Sequence, residues 1–218
     1  METGKKTVTV EIPEGKKAVW NEQGVLQLVD DEPKEVTERI KTLYDAQCEL
    51  AQWAERGDYE AKQLIEEYNS VQTEGTSDDI VAYLQLRIIT AALNEGWKPQ
   101  ITENERRWYP YFNLWTEDEL KDKSDEWKDD HKLLRWGGSA NCGTNCGSSY
   151  SFSYYGWTNA NANIGSRLAY KTEALATFAG LTFAPVYARF FLGDEAKGLK
   201  PWREVEGKEE PADEEEES

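Results

Sequence analysis

The sequence predicts an α+β fold in which an N-terminal strand pair and helices precede a C-terminal mixed sheet backed by a helix. Three features carry that prediction. Residues near the N-terminus alternate apolar and polar with a period of two; three later stretches set apolar side chains at helical spacing; and aromatic, strand-like runs flank thirty residues without a single charge. The regions that result are 1–34, an N-terminal β-hairpin region; 35–104, a helical region; 105–193, an α+β region rich in aromatics, Gly, Asn and Ser; and 194–218, an acidic disordered tail.

In residues 7–12, Val8, Val10 and Ile12 share one face, the pattern of a half-buried strand, and Pro13-Glu14-Gly15 turns the chain. Residues 17–20 and 25–29 flank Asn21-Glu22-Gln23-Gly24, a hairpin loop with Gly in the left-handed position. Three helices follow. Residues 35–56 set Val36, Ile40, Leu43, Tyr44, Leu50 and Trp53 on one stripe and stop before Gly57. Residues 59–70 repeat the pattern with Leu64, Ile65 and Tyr68. Residues 78–95 begin with Asp78 and Asp79, which favour the positive end of a helix, and bury Ile80, Leu84, Ile88, Ala91 and Ala92; Gly96 and Pro99 end them.

Residues 107–115, RWYPYFNLW, read as a strand in which Pro110 marks an edge or a bulge. A charged connector, helical near 117–123, leads to a short strand over 132–136. Residues 167–171 read as another strand. Thr172 caps a helix over 173–192 whose stripe holds Leu175, Phe178, Val186 and Phe190, bent or broken at Pro185. Linker composition starts near Gly193.

Nine Trp, eleven Tyr and six Phe exclude a disordered chain, and 218 residues suffice for a sizeable core. No run of eighteen apolar residues exists and the N-terminus lacks an apolar leader core, so no membrane insertion is expected. The expected location is the cytoplasm of the producing cell, and a particle assembled there and released by lysis would fit equally well. The net charge is −17, of which −8 falls on residues 204–218, read as a solvated tail. Without a basic stripe, no nucleic acid partner is expected.

The feature that points to function is the uncharged stretch from Gly137 to Ser166, in a chain of which 31% is charged. Stiff amphipathic aromatics among short polar residues are what binding loops are made of, whereas catalysis needs groups that titrate. Tyr150, Phe152, Tyr154, Tyr155 and Trp157 would supply contact area, and Asn159, Asn161 and Asn163 would orient a ligand. Against this stands the plainer reading of a turn-rich loop whose amides satisfy local backbone.

Other chemistries are poorly served, and neither an enzyme nor a cofactor is expected. Cys142 and Cys146, spaced C-x3-C, have His131 as the lone histidine, inside an acidic run, which gives a thiol nucleophile or a zinc ion too few partners. In a reducing compartment the two read as free thiols, and Cys48 as a small buried apolar residue. Asp118, Asp122, Asp125, Asp129 and Asp130 lack the spacing of a calcium loop and read as a solvated helix face.

The stretch GGSANCG…NANANIGSRL, residues 137–168, resembles the variable segment of C-type-lectin-like proteins diversified by retroelements in phages and bacteria. That resemblance implies a ligand-binding face carrying Asn141, Asn145, Tyr150, Ser153, Tyr155, Trp157, Asn159 and Asn161. It also implies a scaffold role for Gly137, Gly138, Ile164, Gly165 and Arg167. In such proteins the segment closes the chain, whereas here a helix and the acidic tail follow. TVTVEIPEGK, ALNEGWKPQIT, RWYPYF and SRLAYKTEALATFAG resemble a group of uncharacterised proteins from Bacteroidales phages and integrated elements, which implies a viral context. The expected function is that of a phage-associated, non-enzymatic binding protein with a protein or carbohydrate ligand. The alternatives are a virion structural protein in which the same segment is a homo-oligomer interface, and an acidic intracellular inhibitor of a host factor.

Overall fold

The computed structural model describes residues 11–13, 16–21, 23–30, 35–71, 75–100, 102, 104–136, 147–156 and 166–207. The chain divides into two units, Met1–Glu35 and Val36–Ser218. In the first, β1 (Lys16–Trp20) pairs antiparallel with β2 (Leu26–Asp30), with Trp20 opposite Leu26. The turn closes as expected: the Asn21 side-chain oxygen accepts from the backbone N–H groups of Gln23 and Val25, at 3.1 and 2.9 Å, and Gly24 takes φ 72°. The expected strand over 7–12 lies largely outside the described residues, and its described end, 11–12, has no regular structure.

In the second unit the single helix expected over 35–56 is two, α1 (Val36–Arg39) and α2 (Leu43–Glu55). Thr42 is extended; its hydroxyl accepts from Asp45 N–H while the Asp45 carboxylate accepts from Thr42 N–H at 2.8 Å. This reciprocal cap starts a new helix and so ends any continuous one. The stripe breaks with it: Val36, Ile40 and Leu50 are buried, but Tyr44 is 72% exposed. Helix α3 (Tyr59–Ser70) begins at Asp58, whose carboxylate accepts from Glu60 and Ala61 N–H. Helix α4 (Asp78–Leu93) is the central element, buried nearly all round by Leu84, Leu86, Ile88, Ile89, Ala92 and Leu93, with Ile80 exposed at its first turn. It stops before 95 because Asn94 turns its amide into the core, donating to Ala169 O and accepting from Lys171 N–H.

The rest of the unit comprises β3 (Arg107–Trp115), α5 (Glu117–Lys121), α6 (Asp125–Asp130), β4 (Leu134–Trp136), β5 (Gly147–Gly156), α7 (Glu173–Thr182), α8 (Ala184–Leu192), β6 (Leu199–Pro201) and α9 (Trp202–Glu206). The fold is α+β. The C-terminal sheet, expected to be mixed, is antiparallel throughout, in the order β3-β5-β4-β6. Strand β3 is an edge, which explains how Pro110 sits in it without costing a ladder hydrogen bond. Residues 167–171 are not a strand: a short 3-10 turn, Ser166–Leu168, leads to one bridge in which Tyr170 and Trp108 exchange backbone hydrogen bonds. Tyr170 is drawn inward, accepting from Thr90 at 3.1 Å and sharing a 3.0 Å hydrogen bond with Tyr187; burial pushes its phenol up to about 12.

Helices α7 and α8 meet at 80°, Pro185 lying in the first turn of α8, and both back the sheet. Thr172 caps α7 as expected. One core joins α1 to α4 with α7 and α8, so the boundary expected near 104 separates nothing.

The expected disordered tail from 194 is also corrected, because the described chain stays folded to Gly207. Trp202, 2% exposed, packs on Leu120 and Leu133, and its indole N–H donates to Asp129. Glu206 accepts from Lys128 at 3.1 Å and from Arg135 at 2.8 Å. Burial alone would raise the Glu206 carboxyl, but the bonds from Lys128 and Arg135 outweigh it and hold the group below its ordinary 4.5. A hydrogen bond from Arg203 likewise lowers Asp129. Lowered carboxylates stabilise fully above their ordinary values and lose that contribution as the pH falls through the lowered ones. Glu206→Gln is therefore expected to cost about 1–2 kcal/mol at neutral pH, the partly solvated setting holding it below a fully buried pair. Urea titrations of both proteins at neutral pH and in acid should show the difference shrink as the pH falls below the carboxyl's ordinary 4.5 and through its lowered value. An equal difference at both pH values would exclude the charge pairing as its cause.

Candidate functional site

Strand β5 lies inside the uncharged stretch, paired along its length with β3 and over Gly147 and Ser148 with β4, so the expectation of a displayed loop is corrected for residues 147–156. Two paired neighbours override the weak strand propensity of Gly and Ser. Of the expected ligand-binding residues, Tyr150, Ser153, Tyr154 and Tyr155 are described; Asn141, Asn145, Trp157, Asn159, Asn161 and Asn163 lie outside the described residues, as do Cys142 and Cys146.

The four described residues divide between the two faces of the sheet. Tyr150 is buried toward α7, where its hydroxyl, those of Ser153 and Thr177 form a triangle with 3.1 Å sides. Tyr155 is half-buried against Trp108, at 5.2 Å between ring centroids, with the Arg106 guanidinium 4.8 Å over its ring. Tyr150 and Ser153 thus serve the interior, Tyr154 faces outward, and the half-buried Tyr155 also stacks on Tyr154, at 5.1 Å and 14°.

A single irregularity causes the division. Tyr111 pairs with Phe152 and Phe112 with Tyr150, which leaves Ser151 as an extra residue on β5. Such a bulge reverses the alternation from that point on. Phe152 and Tyr154 then stand on the outer face beside Tyr111, at 50%, 52% and 38% exposure. The Tyr111 and Phe152 rings stack at 5.2 Å and 3°, and Tyr154 meets Tyr111 edge-on at 6.2 Å and 87°. Next to them Asn113 donates to Ser151 at 3.2 Å, and Trp115 donates to Ser149 at 2.8 Å. Tyr111 and Asn113 were missed from sequence as surface groups, although Tyr109, Tyr111, Asn113 and Trp115 recur at every second position of β3, the signal that would have placed them on one face.

The same outer face is closed at its Trp115 end. Trp115 meets Trp127 of α6 at 5.3 Å and 88°, and the Lys123 ammonium sits 4.8 Å over each ring. His131 stacks on Trp127 at 4.3 Å, and its Nδ1 lies 2.9 Å from the Trp127 carbonyl, the geometry of an N–H donated to it. The lone histidine is thus part of an aromatic stack. Asp118 pairs with Lys121 at 2.7 Å and Asp129 with Arg203 at 2.5 Å, and Cys48 is half-buried on α2 rather than fully buried. Among the described residues no group of three or more His, Cys, Asp or Glu is placed to hold a metal, and no single helix is long and apolar enough to cross a membrane.

No family model, no curated protein and no solved structure matches the chain.

Proposed function

We propose that this is a non-enzymatic recognition protein that engages a partner through the outer face of β3 and β5. The observation that supports this reading is the row Tyr111, Phe152 and Tyr154, three large aromatics exposed side by side on one face of a sheet whose opposite face is covered by two helices. Clusters of that kind mark interaction sites, and tyrosine in particular brings area at low entropy cost together with a hydroxyl to bond.

The arrangement favours a protein partner over a carbohydrate. Tyr111 and Phe152 spend facing ring surfaces on each other, and Tyr111 also receives Tyr154. What points outward is ring edges, two phenol hydroxyls, the Asn113 amide and the Ser151 hydroxyl, which suits the mixed surface of a polypeptide. The resemblance to proteins of phages and integrated elements would fit a partner on the host or within a virion.

The test is the double variant Tyr111→Ser/Phe152→Ser. Each side chain is about half exposed, so loss of the stacked pair should cost about 1–2 kcal/mol and leave the chain folded. In a host-cell lysate the unaltered chain should retain a specific protein that the double variant releases, with a loss of at least tenfold in affinity once that protein is purified. Equal retention by both would reject this face as the site. If the partner retained is the chain itself, seen as a dimer that the double variant dissolves, the interface reading replaces the display reading.

A further inference from the structure

The N-terminal unit has no interior of its own. Strands β1 and β2 pair along their whole length, yet none of the unit's described residues is buried. A two-stranded hairpin is at best marginally stable in water, and independent stability takes three or more strands over a shared apolar face. The register shows which side of this hairpin is short of cover. Residues directly opposite each other in an antiparallel pair stand on the same side of the sheet. Trp20 with Leu26, Ala18 with Leu28, and position 16 with position 30 therefore share one side. Val19 with Gln27 and Lys17 with Val29 share the other. The second side sets one apolar residue against one polar residue in each pair. The first is apolar over two successive pairs and ends in a Lys opposite an Asp. On that apolar side Trp20 is 71% and Leu28 44% exposed.

Two half-turns lay this side onto a second copy of itself with strand along strand, and only one of them matches. A half-turn about an axis parallel to the strands lays β1 of each copy over β2 of the other. Trp20 then lies over Leu26, Ala18 over Leu28, and position 16, a Lys, over position 30, an Asp. The largest ring meets a side chain of middle size, the smallest side chain meets a leucine, and opposite charges face each other at the end. A half-turn about an axis across the strands would lay β1 on β1 and β2 on β2. It would set position 30 over Leu26 and position 16 over Trp20, so that each charge leaves water without an opposite charge to meet.

We propose that the hairpin is a dimerisation element that packs its Trp20 and Leu28 side on the same side of a second copy of this chain. The four strands form a small two-layer sandwich with two-fold symmetry, β1 of each copy over β2 of the other. The paired surface is modest, so the dimer is reversible and depends on concentration. It uses none of the residues of the outer row on β3 and β5.

The test is sedimentation of the full chain at rising concentration, in which the average mass should climb from one chain toward two. Trp20→Ser, at an exposed position, should keep the melting temperature and weaken association by about tenfold or more. Lys16→Asp and Asp30→Lys each set like charges face to face across the dimer, and each should weaken it. Mixed in equal amounts, these two variants should associate again, because position 16 of each then meets the opposite charge at position 30 of the other. The repulsion inside each hairpin is the same before and after mixing, so recovery reports the contact between copies. Tyr111→Ser/Phe152→Ser should associate as the unaltered chain does. The proposal is overturned if the chain sediments as a single copy at every concentration, or if Trp20→Ser associates equally well. It is overturned as well if the mixture associates no better than either variant alone, or if Tyr111→Ser/Phe152→Ser dissolves the dimer, since the contact then lies on the sheet.

Discussion

A chain ending after Leu192 is expected to lose most of its folding free energy, whereas one ending after Gly207 should stay within about 1 kcal/mol of the full length. The shorter chain loses β6, the partner of β4, and with it Trp202, whose ring fills the small core of Leu120 and Leu133. Removing a buried tryptophan alone costs about 3–5 kcal/mol, a large part of the total stability of an ordinary domain. The cut also removes Glu206, the carboxylate shared by Lys128 and Arg135, whose side chains are only 10% and 14% exposed, leaving Arg135 to Glu117 and Lys128 to Asp125, 3.9 Å away, and it takes Arg203 from Asp129. Urea unfolding followed by tryptophan fluorescence should show the shorter chain unfolded or barely folded in buffer. If both truncations unfold at the same urea concentration as the full chain, residues 193–207 contribute nothing to the fold.

Composition hid that element. Residues 193–218 read as linker and tail because acids dominate them from Glu204 on, and a single tryptophan just before that acidic run is a faint signal. Its burial depends on a pocket assembled by α5, α6 and β4, which no local pattern reveals. Elements whose ends are written locally fared better. Gly57 closes α2 and Asp58 starts α3, Thr172 starts α7, Pro185 breaks it from α8, and Pro110 marks β3 as an edge. The break before α2 was also written locally, in Thr42 and Asp45, but a continuous apolar stripe from Val36 to Leu50 masks it to any reading by periodicity.

The candidate site was legible as a region but not as a face. Tyr150, Phe152 and Tyr154 alternate, and strict alternation would put all three on the same side. The extra residue Ser151 sends Tyr150 into the core and leaves the other two in solvent. Whether a serine in such a run is paired or bulged is decided by the partner strand, and β3 lies about forty residues away. The outer row likewise takes Tyr111 from β3, so the surface exists only after two distant strands pair.

The position where α7 meets that sheet carries the second large expected effect. Gly180 is the point of closest approach: a Cβ there would lie 2.5 Å from Tyr150 Cδ2 and 2.8 Å from Pro110 Cβ. Neither neighbour can step aside, since one is a buried ring held by the Ser153 and Thr177 hydroxyls and the other a proline ring in a paired strand. Alanine would gain about 1 kcal/mol of helix propensity over glycine, but overpacking costs about 1–3 kcal/mol, so Gly180→Ala should destabilise on balance. Valine adds two methyl groups at the same place, and Gly180→Val is expected to cost about 3 kcal/mol or more, a fall of roughly 6–12 °C in melting temperature for a chain of this size. Tyr150→Ala alone should cost about 3–5 kcal/mol for the cavity it leaves. Combined with Gly180→Val it should cost clearly less than the sum, because the valine occupies space that the ring vacates. Strict additivity in that cycle would mean that helix and strand do not meet at Gly180. The outer row depends on the same seating, since Phe152 and Tyr154 hold their places only while the strand that carries Tyr150 lies flat on α7.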